Sequence, residues 1–281
     1  MSGVDGLLLL DKPPGVTSHD VVDEVRRALG MRKVGHAGTL DPMATGLLLV
    51  GVGRATRLLR FLVGLHKTYE GTGRLGEETD TLDAEGEVVR TAPVGSARSD
   101  LERAMTALVG ESMQRPPAYS AVRVGGRKLY EAARKGQELE AAPRRVSVEA
   151  FELLAFDGRD FEFRVTCSSG TYVRVLVADV GHALGCGAHL VRLARTAIGP
   201  FRLEDAVPPD APGLPLPVQA AVAHLPRVDL EPEKARVASH GSVLGPAGIE
   251  GPYAVFAPTG TLVGVYRDHG GQARPEVILP S

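Results

Sequence analysis

Residues 34–53 read VGHAGTLDPMATGLLLVGVG, and the rest of the chain is best approached from them. Gly46 to Val52 is an apolar run of strand length without polar alternation, which predicts a strand buried on both faces. Residues 31–45, rich in Gly, Thr, Asp and Pro, predict a loop. The loop delivers His36 and Asp41 just before a rigid element, where a carboxylate is held firmly yet can face a cleft. Pro42 restricts the backbone of Asp41, while Gly35, Gly38 and Gly46 permit close approach of another chain. Asp-Pro also starts ordinary turns, and on spacing alone that plainer meaning is the commoner one.

Upstream, Gly6-Leu7-Leu8-Leu9-Leu10 predicts a second buried strand, stopped at Pro13-Pro14-Gly15. Thr17-Ser18-His19-Asp20 predicts a capping box opening a helix with Val21, Val22, Val25, Ala28 and Leu29 inside and Gly30 as its stop. Downstream, a short helix is expected over Thr56–Leu62 and strands near Lys67–Leu75 and Glu87–Val89. Ser99-x-x-Glu102 predicts another capped helix, with Leu101, Ala104, Met105, Leu108 and Val109 inside. Residues 118–136 predict a strand, a Gly125-Gly126 turn and a short basic helix. Strands follow over Arg145–Phe156 and Phe161–Cys167, then a helix over Tyr172–Leu184 and a strand over His189–Leu193. The proline-dense PPDAPGLPLP (208–217) predicts a connector, followed by a short helix near Val218–His224. Residues 254–266 predict a β-hairpin on Pro258-Thr259-Gly260. These elements predict an α+β fold: a mixed, largely antiparallel sheet flanked by helices, with a small C-terminal β-module. The expected division is 1–225 and 226–281.

The chain has 281 residues, 43% hydrophobic and 23% charged, the balance of a soluble globular protein. Two cysteines supply neither a disulfide framework nor a zinc ligand set and suit a reducing cytoplasm; both read as buried apolar residues. No run approaches the ~20 apolar residues that span a bilayer. Net charge is −2, but its distribution is uneven. Residues 75–111 hold three basic and nine acidic groups, whereas residues 112–145 hold eight and three. The latter segment is the expected contact for phosphates, an RNA clamp distinct from the catalytic pocket.

Gly38-Thr39-Leu40-Asp41-Pro42-Met43-Ala44-Thr45-Gly46-Leu47 resembles the motif around the catalytic aspartate of bacterial tRNA pseudouridine-55 synthases. Four further segments resemble that family in the same order. They are Leu10-Asp11-Lys12-Pro13-Pro14-Gly15, Lys67-Thr68-Tyr69-Glu70, Cys167-Ser168-Ser169-Gly170-Thr171-Tyr172-Val173-Arg174, and Gly185-Cys186-Gly187-Ala188-His189-Leu190 leading to Leu193. The resemblance covers residues from about 5 to 205. It implies a pseudouridine synthase fold with a short PUA-like C-terminal module, and base flipping of a T-loop uridine in tRNA. It also implies a cytoplasmic monomer working without cofactor, metal, membrane or obligatory protein partner.

The resemblance implies Asp41, Tyr69 and Arg174 as catalytic residues, with His36, Tyr172, Leu193 and Lys12 binding substrate or supporting the loop. Asp41 would act beside C1′ and C6 of the uridine, charged through a pairing with Arg174. Tyr69 would stack on uracil near C5, Leu193 would pack on the base, and His36 would fill the gap left by the flipped nucleotide. The absence of G-x-G-x-x-G, Walker and Cys/His patterns agrees with chemistry that oxidises nothing and transfers nothing. Three other readings use the same residues: a catalytically silent RNA-binding protein, an N-glycosidase that releases uracil, and a guide-RNA-dependent synthase subunit. Asp41, Tyr69 and Arg174 together argue against the first, and the lack of extended basic tails against the last.

Overall fold

The computed structural model describes residues 4–120, 122–129, 137 and 139–279. Strand β1 (Gly6–Lys12) pairs antiparallel with β3 (Thr45–Val52), and β2 (Val34–His36) pairs with β3 alongside it. The four leucines of β1 divide by parity. Leu7 and Leu9 enter one apolar cluster with Leu47 and Leu49, while Leu8 and Leu10 enter another with Leu48 and Val50. An uninterrupted apolar run is what such double-sided burial requires, because successive side chains point to opposite faces. The helix Ser18–Leu29 covers the second cluster through Val21, Val22 and Val25. Its Thr17–Asp20 capping box and left-handed Gly30 stop match the sequence expectation, although Ala28 points to solvent.

The sheet continues through β4 (Lys67–Leu75), β7 (Gly110–Gln114), β10 (Arg144–Phe156), β11 (Asp160–Cys167) and β12 (Ala188–Ile198), in the order β1-β3-β12-β4-β11-β10-β7. Every pairing is antiparallel except β3 with β12. Lys67, Tyr69, Gly71, Gly73 and Leu75 face inward along β4. Gly71 and Gly73 are dictated by packing: a Cβ there would lie 2.7 Å and 2.3 Å from the rings of Phe163 and Phe161. Helices Arg98–Thr106 and Val173–Ala183 cover this side through Leu101, Met105, Val173, Leu176, Val177 and Val180. Between these elements lie the hairpins β5 (Glu77–Thr79) with β6 (Val88–Thr91) and β8 (Arg123–Val124) with β9 (Arg127–Lys128); β13 (Phe201–Arg202) returns onto β12.

Three local expectations are corrected. The helix expected to be capped by Ser99 has its N-cap two residues earlier, at Ala97, whose N–H the Asp100 carboxylate accepts at 2.9 Å. Glu102 pairs with Arg98 at 2.8 Å instead of closing a box. Val109 is exposed. The expected proline connector is strapped to the edge of β1. Val207 and Leu216, which keep their N–H groups, donate to Leu9 and Leu7 carbonyls at 3.0 and 2.8 Å. The basic helix expected after Gly126 falls mostly on residues 130–136, outside those described; the turn itself has two glycines at positive φ, as a tight hairpin requires.

A second sheet, β14 (Arg227–Asp229), β15 (Pro252–Phe256), β16 (Leu262–His269) and β17 (Gln272–Ile278), has its own cluster around Tyr253, Val255 and Tyr266. Its other face, through Ala254, Phe256, Val265 and Val277, joins the cluster of Leu7, Leu47 and Leu49. Both cysteines are free and buried, and burial pushes the Cys167 thiol up to about 11. Among the described residues no helix is long and apolar enough to cross a membrane.

Candidate active site

The loop that carries Asp41 is held by its carbonyl groups. Arg195 donates to Gly38 at 3.2 Å and, at 3.5 Å, reaches Thr39. The Ser18 hydroxyl donates to the Leu40 carbonyl at 3.3 Å and accepts the Leu40 N–H at 2.9 Å. The Asp41 carbonyl accepts the Ala44 N–H, closing a turn at Pro42-Met43, and the Pro42 carbonyl accepts the Gly15 N–H. Lys12 completes the support. Its ammonium has three donors and finds three carbonyls, those of Pro13, Val16 and Pro42, at 2.9, 2.7 and 3.1 Å. Burial holds this ammonium down to about 8. With its backbone tied inward, the loop turns the Asp41 side chain outward, 44% exposed.

The carboxylate lies 3.7 Å from Nη2 of Arg174, outside hydrogen-bond reach. Sequence reasoning expected Arg174 to grip Asp41; the structure gives it a closer partner. Its Nη1 donates to Asp83 at 3.1 Å and to the Thr81 carbonyl at 3.2 Å, and its Nη2 donates to the Tyr119 carbonyl at 2.5 Å. Both Arg174 and Asp83 are buried, and Asp83 also accepts from the Thr81 hydroxyl and the Glu85 N–H. A buried guanidinium with its own counter-ion is a fixed dipolar wall, and Asp41 keeps only a longer-range ion pair with it.

Asp41, Tyr69, Tyr172, Arg174 and Leu193 line one cleft of about 350 Å³, together with Lys67, Arg144 and Arg195 among others. Two sheet elements and one helix converge there. Tyr69 comes from the inward face of β4, Leu193 from β12, and Arg174 from the first turn of the helix Val173–Ala183. Tyr69 is 8% exposed; burial pushes its hydroxyl up, and the nearby Arg195 cation pulls it back. The Tyr172 ring stands between two guanidinium groups, 4.6 Å from Arg144 and 5.9 Å from Arg174. Lys67 spends its ammonium on the Val63 and Leu65 carbonyls, and burial lowers it to about 8.

Lys12 and His36 are not among the residues lining this cleft. Lys12 is wholly buried beneath the loop that it supports. His36 is the last residue of β2, half-buried, with Nδ1 unpartnered and its pKa lowered by desolvation. Arg144, from the supposedly separate basic segment, lines the cleft, as do Ser120 and Val122. Asp83 and Arg195 were missed. Asp83 sits among several acids in a turn and carries no local signal. Arg195 shares the inward phase of β12 with Leu193 and Ala197, and a charge in a buried phase is a readable signal.

Comparison with known proteins gives a consistent picture. Residues 26–173 match the profile of the TruB family pseudouridylate synthase N-terminal domain. Residues 174–210 match the tRNA pseudouridylate synthase B C-terminal domain, and residues 225–280 the tRNA pseudouridine synthase II C-terminal profile. The chain is 49% identical over 284 residues to tRNA pseudouridine synthase B of Mycobacterium sp. (strain KMS), covering 98% of this chain and 96% of the relative. It is 46% identical over 279 residues to the protein of that name from Geobacillus kaustophilus (strain HTA426), covering 92% and 98%. A chain from a solved Cbf5-Nop10-Gar1 complex superposes with a TM-score of 0.75 at 29% identity, covering 98% of this chain and 85% of that one.

Proposed function

The chain belongs to the TruB family of pseudouridylate synthases, and from that premise we propose that it isomerises the T-loop uridine at position 55 of tRNA through Asp41. The observation that carries the assignment of Asp41 is its loop: backbone tied down residue by residue, carboxylate turned into a cleft lined by two tyrosines, a leucine and an internally neutralised arginine.

The reaction breaks the C1′–N1 bond, turns the base and forms a C1′–C5 bond. N1 gains a proton and C5 loses one, so no electrons enter or leave. Asp41 supplies the negative charge beside C1′ and C6, as a nucleophile or as the stabiliser of the departing sugar centre. Tyr69 and Leu193 hold the flipped base between an aromatic face and an apolar one, with the Tyr69 hydroxyl near C5 for proton transfer. Tyr172, between Arg144 and Arg174, forms the cationic lip over which the RNA backbone enters. Lys12 acts as a positioning residue, fixing Pro42 next to Asp41. His36, kept neutral by burial, stands behind the loop to occupy the space the uridine leaves. We read the enzyme as a cytoplasmic monomer acting alone, in keeping with the relatives at 46–49% identity rather than with the Cbf5 complex at 29%.

The decisive experiment incubates purified protein with unmodified tRNA transcript and maps pseudouridine by mass-spectrometric sequencing, with Asp41→Asn alongside. The expected result is modification at position 55 by the wild type and none by the variant, with tRNA binding kept. Modification elsewhere overturns the substrate assignment, free uracil overturns the isomerisation, and turnover by the variant overturns Asp41.

A further inference from the structure

Arg195 is the largest side chain that the fold buries completely. It occupies the middle of β12, opposite Gly46 on one neighbouring strand and opposite Tyr69 on the other. Its strand position therefore touches both halves of the site: β3 continues directly from the Asp41 loop, and β4 carries Tyr69. The side chain repeats that connection. Nε donates to the Leu47 carbonyl at 2.8 Å, downstream of Asp41, and Nη2 to the Gly38 carbonyl at 3.2 Å, upstream of it. Arg195 and Tyr69 stand opposite each other across the β12–β4 pairing and line the same cleft.

Two features make a purely structural role a poor account. Among the described residues Arg195 forms no ion pair, so its charge sits in the interior without a carboxylate, where an apolar side chain of similar size would serve stability better. Its donors are also spread along the loop: the Leu47, Thr39 and Gly38 carbonyls each accept one of its N–H groups, at 2.8, 3.5 and 3.2 Å. A planar fork with several fixed donors is what a lysine cannot reproduce.

We propose that Arg195 is the positioning residue of this site: from a strand position paired opposite Tyr69, one buried guanidinium holds the Asp41 loop at both shoulders, and so sets the spacing of the two groups that work on the uridine. The proposal rests on the assignment of Asp41 and Tyr69 to the reaction. It gives Arg195 no contact with substrate.

The test compares wild type, Arg195→Gln and Arg195→Lys in three measurements. They are the single-turnover rate at saturating tRNA, tRNA affinity by filter binding, and hydrogen exchange resolved by peptide. Both variants should react about 100-fold more slowly, since small displacements of reacting groups are that costly, with affinity changed less than about threefold. Exchange should quicken in the peptide covering residues 37–47, while Gly6–Lys12 and Ala188–Ile198 keep their protection. A rate within about threefold of wild type overturns the proposal. So does unchanged protection over 37–47, or protection lost evenly along the chain, or failure of both variants to fold, since the last two make Arg195 a core residue only. If only one variant folds, the same criteria apply to it. Wild type that makes no pseudouridine sinks the functional reading instead, and the exchange measurement still reports whether Arg195 holds the loop.

Discussion

The floor of the cleft and the basic segment above it are built on opposite principles. On the floor, the charged groups Lys12, Lys67, Arg174 and Arg195 are all buried, and each is committed to named carbonyls or to Asp83. In the segment 112–145, Arg123 and Arg127 stand exposed on a short hairpin, and Arg115 and Arg145 pair with Glu140 and Glu111 at the surface. Surface pairs of that kind contribute little and yield readily to a polyanion. The difference teaches that positive charge serves two purposes here: inside, it fixes geometry; outside, it is available for phosphates. Arg144 stands at the join, lining the cleft from the segment that otherwise faces outward.

That comparison can be broken in several places. Tyr69→Phe on the floor should slow the single-turnover rate by about 10³-fold while leaving the tRNA dissociation constant alone, because the ring remains and only the hydroxyl is lost. Equal losses of rate and affinity would make Tyr69 a packing residue. Asp83→Ala should lower unfolding free energy by about 3 kcal/mol, since it strands a buried guanidinium, and denaturant titration checks this. An unchanged midpoint would mean the Arg174 wall stands without Asp83.

A smaller effect tests Lys12 through pH. Its folded value of about 8 lies below its ordinary 10.5. Between the two, the unfolded chain holds a proton that the folded chain has released, so this group's contribution to stability rises with pH across the window. The clamp on Pro42 meanwhile loses one of its three donors. The rate should fall above pH about 8, by less than about tenfold, as melting temperature holds or climbs. Lys12→Met should abolish that limb, with Lys67→Met as the control, because Lys67 is also lowered to about 8. If the limb survives in Lys12→Met, another group sets it.

The smallest catalytic effect belongs to the segment. Arg127, Lys128, Arg134 and Lys135 changed together to Ala should flatten the salt dependence of binding by about 0.7 per lost phosphate contact. Turnover at saturating tRNA should stay within about threefold. An unaltered slope would reduce these residues to a solvated face.

Most of what positions the site is legible in the chain. The four-leucine run of β1 and the Thr17–Asp20 box each signal through local patterning, and the structure uses them as read; Gly46 makes the close approach expected of it, whereas Gly35 lies in β2 within the stretch read as a loop. What escapes is long-range. Asp83 and Arg174 are 91 positions apart, and nothing near either names the other. Ser99 was read as the cap, whereas the N-cap is Ala97 and the Asp100 carboxylate closes back on its N–H. The strap from Val207 to Leu216 read as a free connector because its prolines advertise a break, whereas its hydrogen bonds come from Val207, just before the cluster, and from Leu216, between Pro215 and Pro217.

The apolar layer between the two sheets has a consequence for how the molecule comes apart. Leu7, Leu47 and Leu49 belong to the catalytic sheet, Phe256, Val265 and Val277 to the second, and one cluster holds both sets together with Leu58, Leu62 and Val222. Stripping away residues from about 226 onward would remove one side of the cluster that backs the very strand leading out of the Asp41 loop. The heat of unfolding should therefore be absorbed in one cooperative peak, with calorimetric and van't Hoff enthalpies in agreement. Loss of the tail would register as a weakened catalytic sheet rather than as a missing accessory.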